Sequence, residues 1–135
     1  MAHPPVDPRS FLPLTPLAFQ VLLALADTER HGYGIILEVG SRTDGLITLR
    51  TGTLYTLLQR LLEDALIENT SGPGGVQGTP PIKRAGVQGA PVIKNDPRRK
   101  YYGLTPLGRQ VLAAEARRLE SVLSDARRKH VIKRA

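Results

Sequence analysis

Thr53, Thr56, Gln59 and Arg60 recur at helical spacing within LRTGTLYTLLQRLLEDALIENT, residues 49 to 70, and their side chains suit hydrogen bonding better than proton or group transfer. On a helical wheel they fall, with Glu63, on the side away from Leu54, Leu57, Leu58, Leu61 and Leu62, and Tyr55 lies on the flank. Threonine, tyrosine, glutamine and arginine donate to phosphate oxygens, and glutamine and arginine also address adenine and guanine edges. Gly52 lets the backbone approach closely, and the unpaired N–H groups of a helix start attract phosphate. A merely solvated helix shows the same kind of face, so the elements around it must decide.

Other chemistries find little support. No Ser, His and acid stand in a recognisable catalytic motif, Gly72 to Gly78 lacks the Gly-Lys-Ser/Thr ending of a phosphate loop, and Glu63-Asp64 has no evident partner acid. The sequence has no cysteine, which excludes disulfides, thiolate catalysis and sulfur-bound zinc, while His3, His31 and His130 are too scattered for a metal set. No enzyme activity, metal or cofactor is therefore expected, and His31 is assigned to the turn into the second helix. With only Phe11 and Phe19 as phenylalanines and no tryptophan, a stacking pocket for an aromatic ligand is unsupported, and any small-molecule effector is unknown.

At 135 residues, 41% hydrophobic, the chain can bury one modest core. No apolar run approaches the ~20 residues needed to cross a bilayer, and MAHPPVDPRS does not read as a signal peptide, so a cytoplasmic location without membrane attachment is expected. The formal charge of +7 is uneven: residues 1 to 67 hold 5 Lys/Arg against 7 Asp/Glu, and residues 68 to 135 hold 14 against 5. The second half is the one that faces polyanions, if either does.

The elements that must position the threonine face follow from pattern. Residues 1 to 13, with four prolines, read as a flexible, mostly irregular arm. Thr15-Pro16 is a cap followed by proline at the first helical position, and LAFQVLLALA is apolar on nearly every side, which demands cover on more than one face, a second subunit being one source. YGIILEVGSRT predicts a second helix with Ile35, Ile36 and Val39 inward. Leu46 to Leu49 suits one short strand, a third helix runs from near Gly52 to near Asp64, and Leu66 to Asn69 and Lys100 to Leu104 have strand character. Thr105-Pro106 repeats the helix start, and a last helix spans about Pro106 to His130. Between the two later strands, residues 70 to 97 hold a Gly- and Pro-rich repeat of period 11: GVQGTPPIKRA (75 to 85) matches GVQGAPVIKND (86 to 96) at seven positions. Two copies are too few for a solenoid, so the stretch reads as a disordered insertion, with Lys83, Arg84 and Lys94 solvated. Three helices, the third amphipathic, followed by a two-stranded hairpin predict a mainly α winged helix-turn-helix fold with a small β hairpin.

The motifs within that order are specific. LTPLAFQVLLALADTERHGYGI (14 to 35), TGTLYTLLQRLLEDALIE (51 to 68) and RRKYYGLTPLGRQVLAAE (98 to 115) resemble the PadR family of bacterial transcriptional regulators, in its smaller branch with one short C-terminal helix. The resemblance implies an N-terminal arm (1–13), a winged helix DNA-binding domain (14–105, with a long wing insertion at 70–97) and a C-terminal dimerisation helix and tail (106–135). It further implies a homodimer that binds a partly palindromic double-stranded operator and usually represses. The family's DNA contacts map onto the Thr51 to Thr56 stretch, with Gly52, Thr53 and Tyr55 in it, and onto basic residues of the wing, for which Arg98, Arg99 and Lys100 are the candidates; Gln59 and Arg60 join the candidate site from the chemistry of the helix face alone. Two departures stand out: the family's glycine after the third helix is Ala65 here, where a left-handed backbone would cost ~1 kcal/mol, and the wing is unusually long.

Along the last helix Leu112, Leu119 and Ala126 recur every seven residues, with Val122 and Leu123 beside them, a narrow apolar seam suited to a partner helix and equally to the subunit's own first helix. If Leu104 faces the core, alternation turns Tyr102 inward and Tyr101 outward. Against the DNA-binding reading stands a winged helix that meets only other proteins. Structured RNA is a weaker option, since the chain lacks the aromatic platforms of single-strand readers.

Overall fold

In the computed structural model, which describes residues 6–72 and 100–133, the chain builds α1 (Pro16–Ala24), β1 (Arg30–His31), α2 (Gly32–Arg42), α3 (Thr51–Glu63), β2 (Ile67–Thr70), β3 (Tyr101–Leu104) and α4 (Pro106–Arg128). Both Thr-Pro pairs start helices as expected. The Thr15 hydroxyl accepts the Ala18 N–H at 3.2 Å and the Thr105 hydroxyl accepts the Gly108 N–H at 2.9 Å, with proline following each cap. His31 caps α2 through Nδ1, which accepts the Gly34 N–H at 3.0 Å.

One core joins the helices to the sheet. Val21, Leu22 and Leu25 of the α1 region meet Ile35 and Val39 of α2, Leu54, Leu58 and Leu61 of α3, and Val111 and Leu112 of α4; Leu66, Ile67 and Tyr102 close it from the sheet side. Leu57 and Leu62 pack partly buried against this cluster. The apolar helix α1 is covered by both α2 and α4, so much of its second cover comes from its own subunit. Arg42 ties the end of α2 to α1, donating to Glu38 at 2.8 Å and to the Gln20 side chain at 2.5 Å.

Two expectations are corrected. Leu46 to Leu49 forms no strand: Leu46 is exposed and Leu49 is buried as an anchor ahead of α3. The third strand is Arg30–His31, and the sheet order is β1-β3-β2, with β3 central and antiparallel to both neighbours. Two residues carry no alternation to read, which is why β1 escapes a pattern search. Within the supposed irregular arm, Pro8–Phe11 instead makes one 3-10 turn capped by Asp7 and packed on α4, with Phe11 and Leu12 against the core. A buried carboxylate holds this entry in place: Glu115 of α4 accepts the Leu14 N–H at 3.0 Å and pairs with Arg118 at 2.6 Å.

The connection between α3 and α4 is tight. Ala65 has φ +61° and ends α3 in a left-handed turn, where the Leu66 N–H donates to the Leu61 carbonyl and the Ala65 N–H to that of Leu62, both at 3.0 Å. Thr105 donates its N–H to the Leu66 carbonyl at 3.1 Å and its hydroxyl to that of Ala65 at 2.7 Å. Gly108 lies directly on the Leu66 backbone; a Cβ there would overlap the Leu66 carbonyl oxygen and stand 2.8 Å from its carbon.

Candidate nucleic-acid interface

The α3 helix is sharply two-sided. Leu54, Leu58 and Leu61 are buried, while Thr51, Gly52, Thr53, Thr56, Gln59 and Arg60 are exposed. Because the inward leucines fix the rotation of the helix, the outward set is fixed with them. Gln59 donates weakly to Glu63 at 3.4 Å, and Tyr55, Thr56, Gln59, Arg60 and Glu63 line a shallow groove. Tyr55 is 47% exposed, and a Cβ placed on Gly32 would meet the outer end of its ring.

The start of α3 differs from the other α-helix starts. Arg50 occupies the cap position and makes no side-chain capping bond, so the first-turn N–H groups carry no protein side chain across them. An exposed guanidinium beside the positive end of a helix dipole is unfavourable to the helix and favourable to an anion. Arg50 was missed in the sequence because the helix begins one residue earlier than its pattern suggests; the absence of any Ser, Thr, Asp or Asn just before Thr51 was the available signal.

At the base of the hairpin the His31 and Tyr101 rings meet edge to face, 5.2 Å between centroids and 77° apart. Gly72, with φ +101°, lays its backbone on the other ring contact; a Cβ there would stand 3.1 Å from Tyr101 Cγ. Tyr102 is buried, as alternation requires, and burial, reinforced by the nearby Tyr55, pushes its phenol above the usual tyrosine range. Lys100 is exposed immediately before β3. Arg98 and Arg99, and the repeat at 75–96 with Lys83, Arg84 and Lys94, lie outside the described residues.

On α4 the buried residues are Gly108, Val111, Leu112 and Glu115, all in the first half of its 23 residues. Leu112 therefore belongs to the subunit's own core. Beyond it the seam is uncovered: Leu119, Val122 and Leu123 are 38%, 50% and 41% exposed, and Ala126 is half-buried. Among the described residues no group of acids and histidines could hold a metal, and no helix is long and apolar enough to cross a membrane.

This winged-helix arrangement agrees with comparison to known proteins. The profile of the transcriptional regulator PadR-like family matches residues 21–81. Over those residues the chain is similar to that family. The chain is 27% identical over 93 residues, 69% of its length and 68% of the relative's, to an uncharacterised protein of Lysinibacillus sphaericus. It shares its fold with a PadR-like transcription factor of Bacteroides fragilis (TM-score 0.59, 23% identity, covering 86% of this chain and 89% of that one). It also superposes on Bacillus subtilis PadR, solved in complex with operator DNA (TM-score 0.51, 21% identity), where 74% of this chain matches 46% of the longer protein.

Proposed function

We propose that this PadR-like chain is a dimeric, sequence-specific DNA-binding regulator that represses transcription from a partly palindromic operator. The observation that carries the reading is the leucine-backed α3, whose Thr51, Thr53, Thr56, Gln59 and Arg60 face outward from an uncapped helix start flanked by Arg50. Such a helix enters a major groove by its N-terminal end, threonines and the free N–H groups on phosphates, Gln59 and Arg60 toward base edges. Gly52, with no atom within 4 Å of a Cβ built on it, leaves the backbone open to a phosphate. The β2–β3 hairpin is the wing, with Lys100 at its base and Arg98 and Arg99 assigned to the DNA backbone. The relative solved with operator DNA supports a duplex as partner.

Dimerisation is assigned to the overhanging half of α4, through Leu119, Val122, Leu123 and Ala126. A helix of this composition, striped with apolar side chains beyond the domain that supports its first half, gains stability from a second copy of itself. The decisive experiment is a gel-shift titration against the DNA upstream of the chain's own gene at several salt concentrations. A tight complex, a steep salt slope and competition only by like sequence are expected. Uniform weak binding to every duplex would instead indicate a winged helix that serves protein contacts. Replacing Thr53, Thr56 and Arg60 together with alanine should abolish specific binding and leave the dimer intact; unchanged affinity would remove α3 from the interface.

A further inference from the structure

The groove on the outer face of α3 is lined by Tyr55, Thr56, Gln59, Arg60 and Glu63, and Glu63 is the one acid among them. A carboxylate is out of place on a surface meant for phosphates, since like charges repel. Its geometry gives it another use. Glu63 stands one turn beyond Gln59, and Gln59 Nε2 donates to Glu63 Oε2 at 3.4 Å. The side chains of Gln59 and Arg60 make no other hydrogen bond or ion pair among the described residues, so the carboxylate serves the amide and not the guanidinium. A carboxylate only accepts, which fixes the end of the amide that faces it: the NH2 group turns toward Glu63 and the carbonyl oxygen turns away. The bond is long and weak in water, but a duplex closed over the groove removes the water that competes with it.

What Gln59 then offers a base is one acceptor, Oε1, and one remaining N–H. That pair matches adenine, whose major-groove edge carries the N6 donor beside the N7 acceptor. Guanine presents two acceptors, N7 and O6; satisfying both takes both N–H bonds of the amide, and Glu63 holds one of them. We propose that Glu63 is a positioning residue that determines specificity: it orients the Gln59 amide so that α3 reads adenine and rejects guanine at one position of each half-site. The inference rests on the DNA-binding reading and narrows it to a named base, selected through an acid that itself touches no nucleotide.

The test compares wild type, Glu63→Ala, Gln59→Ala and the double variant. A duplex enriched by the wild-type protein from a random-sequence pool is resynthesised with each base in turn at every position, all four proteins are titrated with the set, and melting temperatures are recorded. The position read by Gln59 is the one whose preference vanishes in Gln59→Ala. There the wild type should favour adenine over guanine by at least about tenfold, and Glu63→Ala should bring the two within about threefold, with the other positions unchanged. The double variant should match Gln59→Ala at that position, because without the amide there is nothing to orient. A carboxylate that merely repels phosphates would, once removed, strengthen binding to every duplex alike and leave the order of bases unaltered. A merely structural one would lower melting and all affinities together. Either result overturns the proposal, as does guanine favoured by the wild type at the Gln59 position or an adenine preference that survives Glu63→Ala. If the wild type enriches no sequence, the DNA-binding reading itself fails and the proposal falls with it. If a sequence is enriched but Gln59→Ala alters preference nowhere, that reading stands and the proposal alone is lost.

Discussion

Three single residues, Ala65 just after α3 and Gly108 and Glu115 on α4, carry constraints that substitution can measure. Ala65 holds a left-handed conformation that glycine adopts without strain. Ala65→Gly should stabilise the protein by about 0.5–1 kcal/mol in chemical denaturation, the relief of strain exceeding the added chain entropy. Gly108→Ala should act oppositely, because the obstructing atoms are the Leu66 backbone and cannot swing aside; a loss of roughly 2–3 kcal/mol is expected. Glu115 is buried, and the Arg118 guanidinium beside it, with the Leu14 N–H, holds its carboxyl below the usual glutamate range. A depressed folded-state pKa means that the carboxylate's contribution is fully present above the unfolded glutamate value and is lost as pH falls through the folded one. Thermal stability of the wild type should therefore decline on acidification below about pH 4.5 more steeply than that of Glu115→Gln, which should already be weaker at neutral pH.

On the proposed reading, stability and recognition pull apart within the single element α3. Its cap position holds Arg50, where serine would satisfy a first-turn N–H. Arg50→Ser should raise stability by about 1 kcal/mol while weakening DNA binding and lowering the salt slope by about one; a calorimetric scan and a salt titration on the same sample check both halves. Much of this element was legible in advance, since five leucines at helical spacing determine which residues face outward, and both Thr-Pro helix starts announce themselves in two letters. The remainder depends on contacts distant in sequence. The two-residue β1 exists because His31 and Arg30 lie along β3, and nothing local demands it. Glu115 resembles any solvated helix charge until Leu14 is placed beside it, 101 positions away. Gly32 has no turn to explain it until the Tyr55 ring is laid over it.

For the molecule as a whole, the question is what α4 does once it leaves the domain. Its last buried residue is Glu115, and at 1.5 Å per residue the stretch to Arg128 extends about 20 Å further. Leu119→Glu with Leu123→Glu should convert a dimer to monomers in sedimentation while leaving the domain folded, since both side chains are already partly exposed; operator affinity should then fall by orders of magnitude, as each half-site is bound singly. A dimer surviving that pair of charges would place the contact elsewhere. Between the sheet and this helix stands a single residue: β3 ends at Leu104, α4 begins at Pro106, and Thr105 is hydrogen-bonded to the carbonyls of both Ala65 and Leu66. There is no slack at that joint. A torque applied to the hairpin must turn the long helix with it or break those two bonds, so in the proposed dimer the angle at which one copy grips its target and the angle at which it meets its twin are mechanically a single degree of freedom.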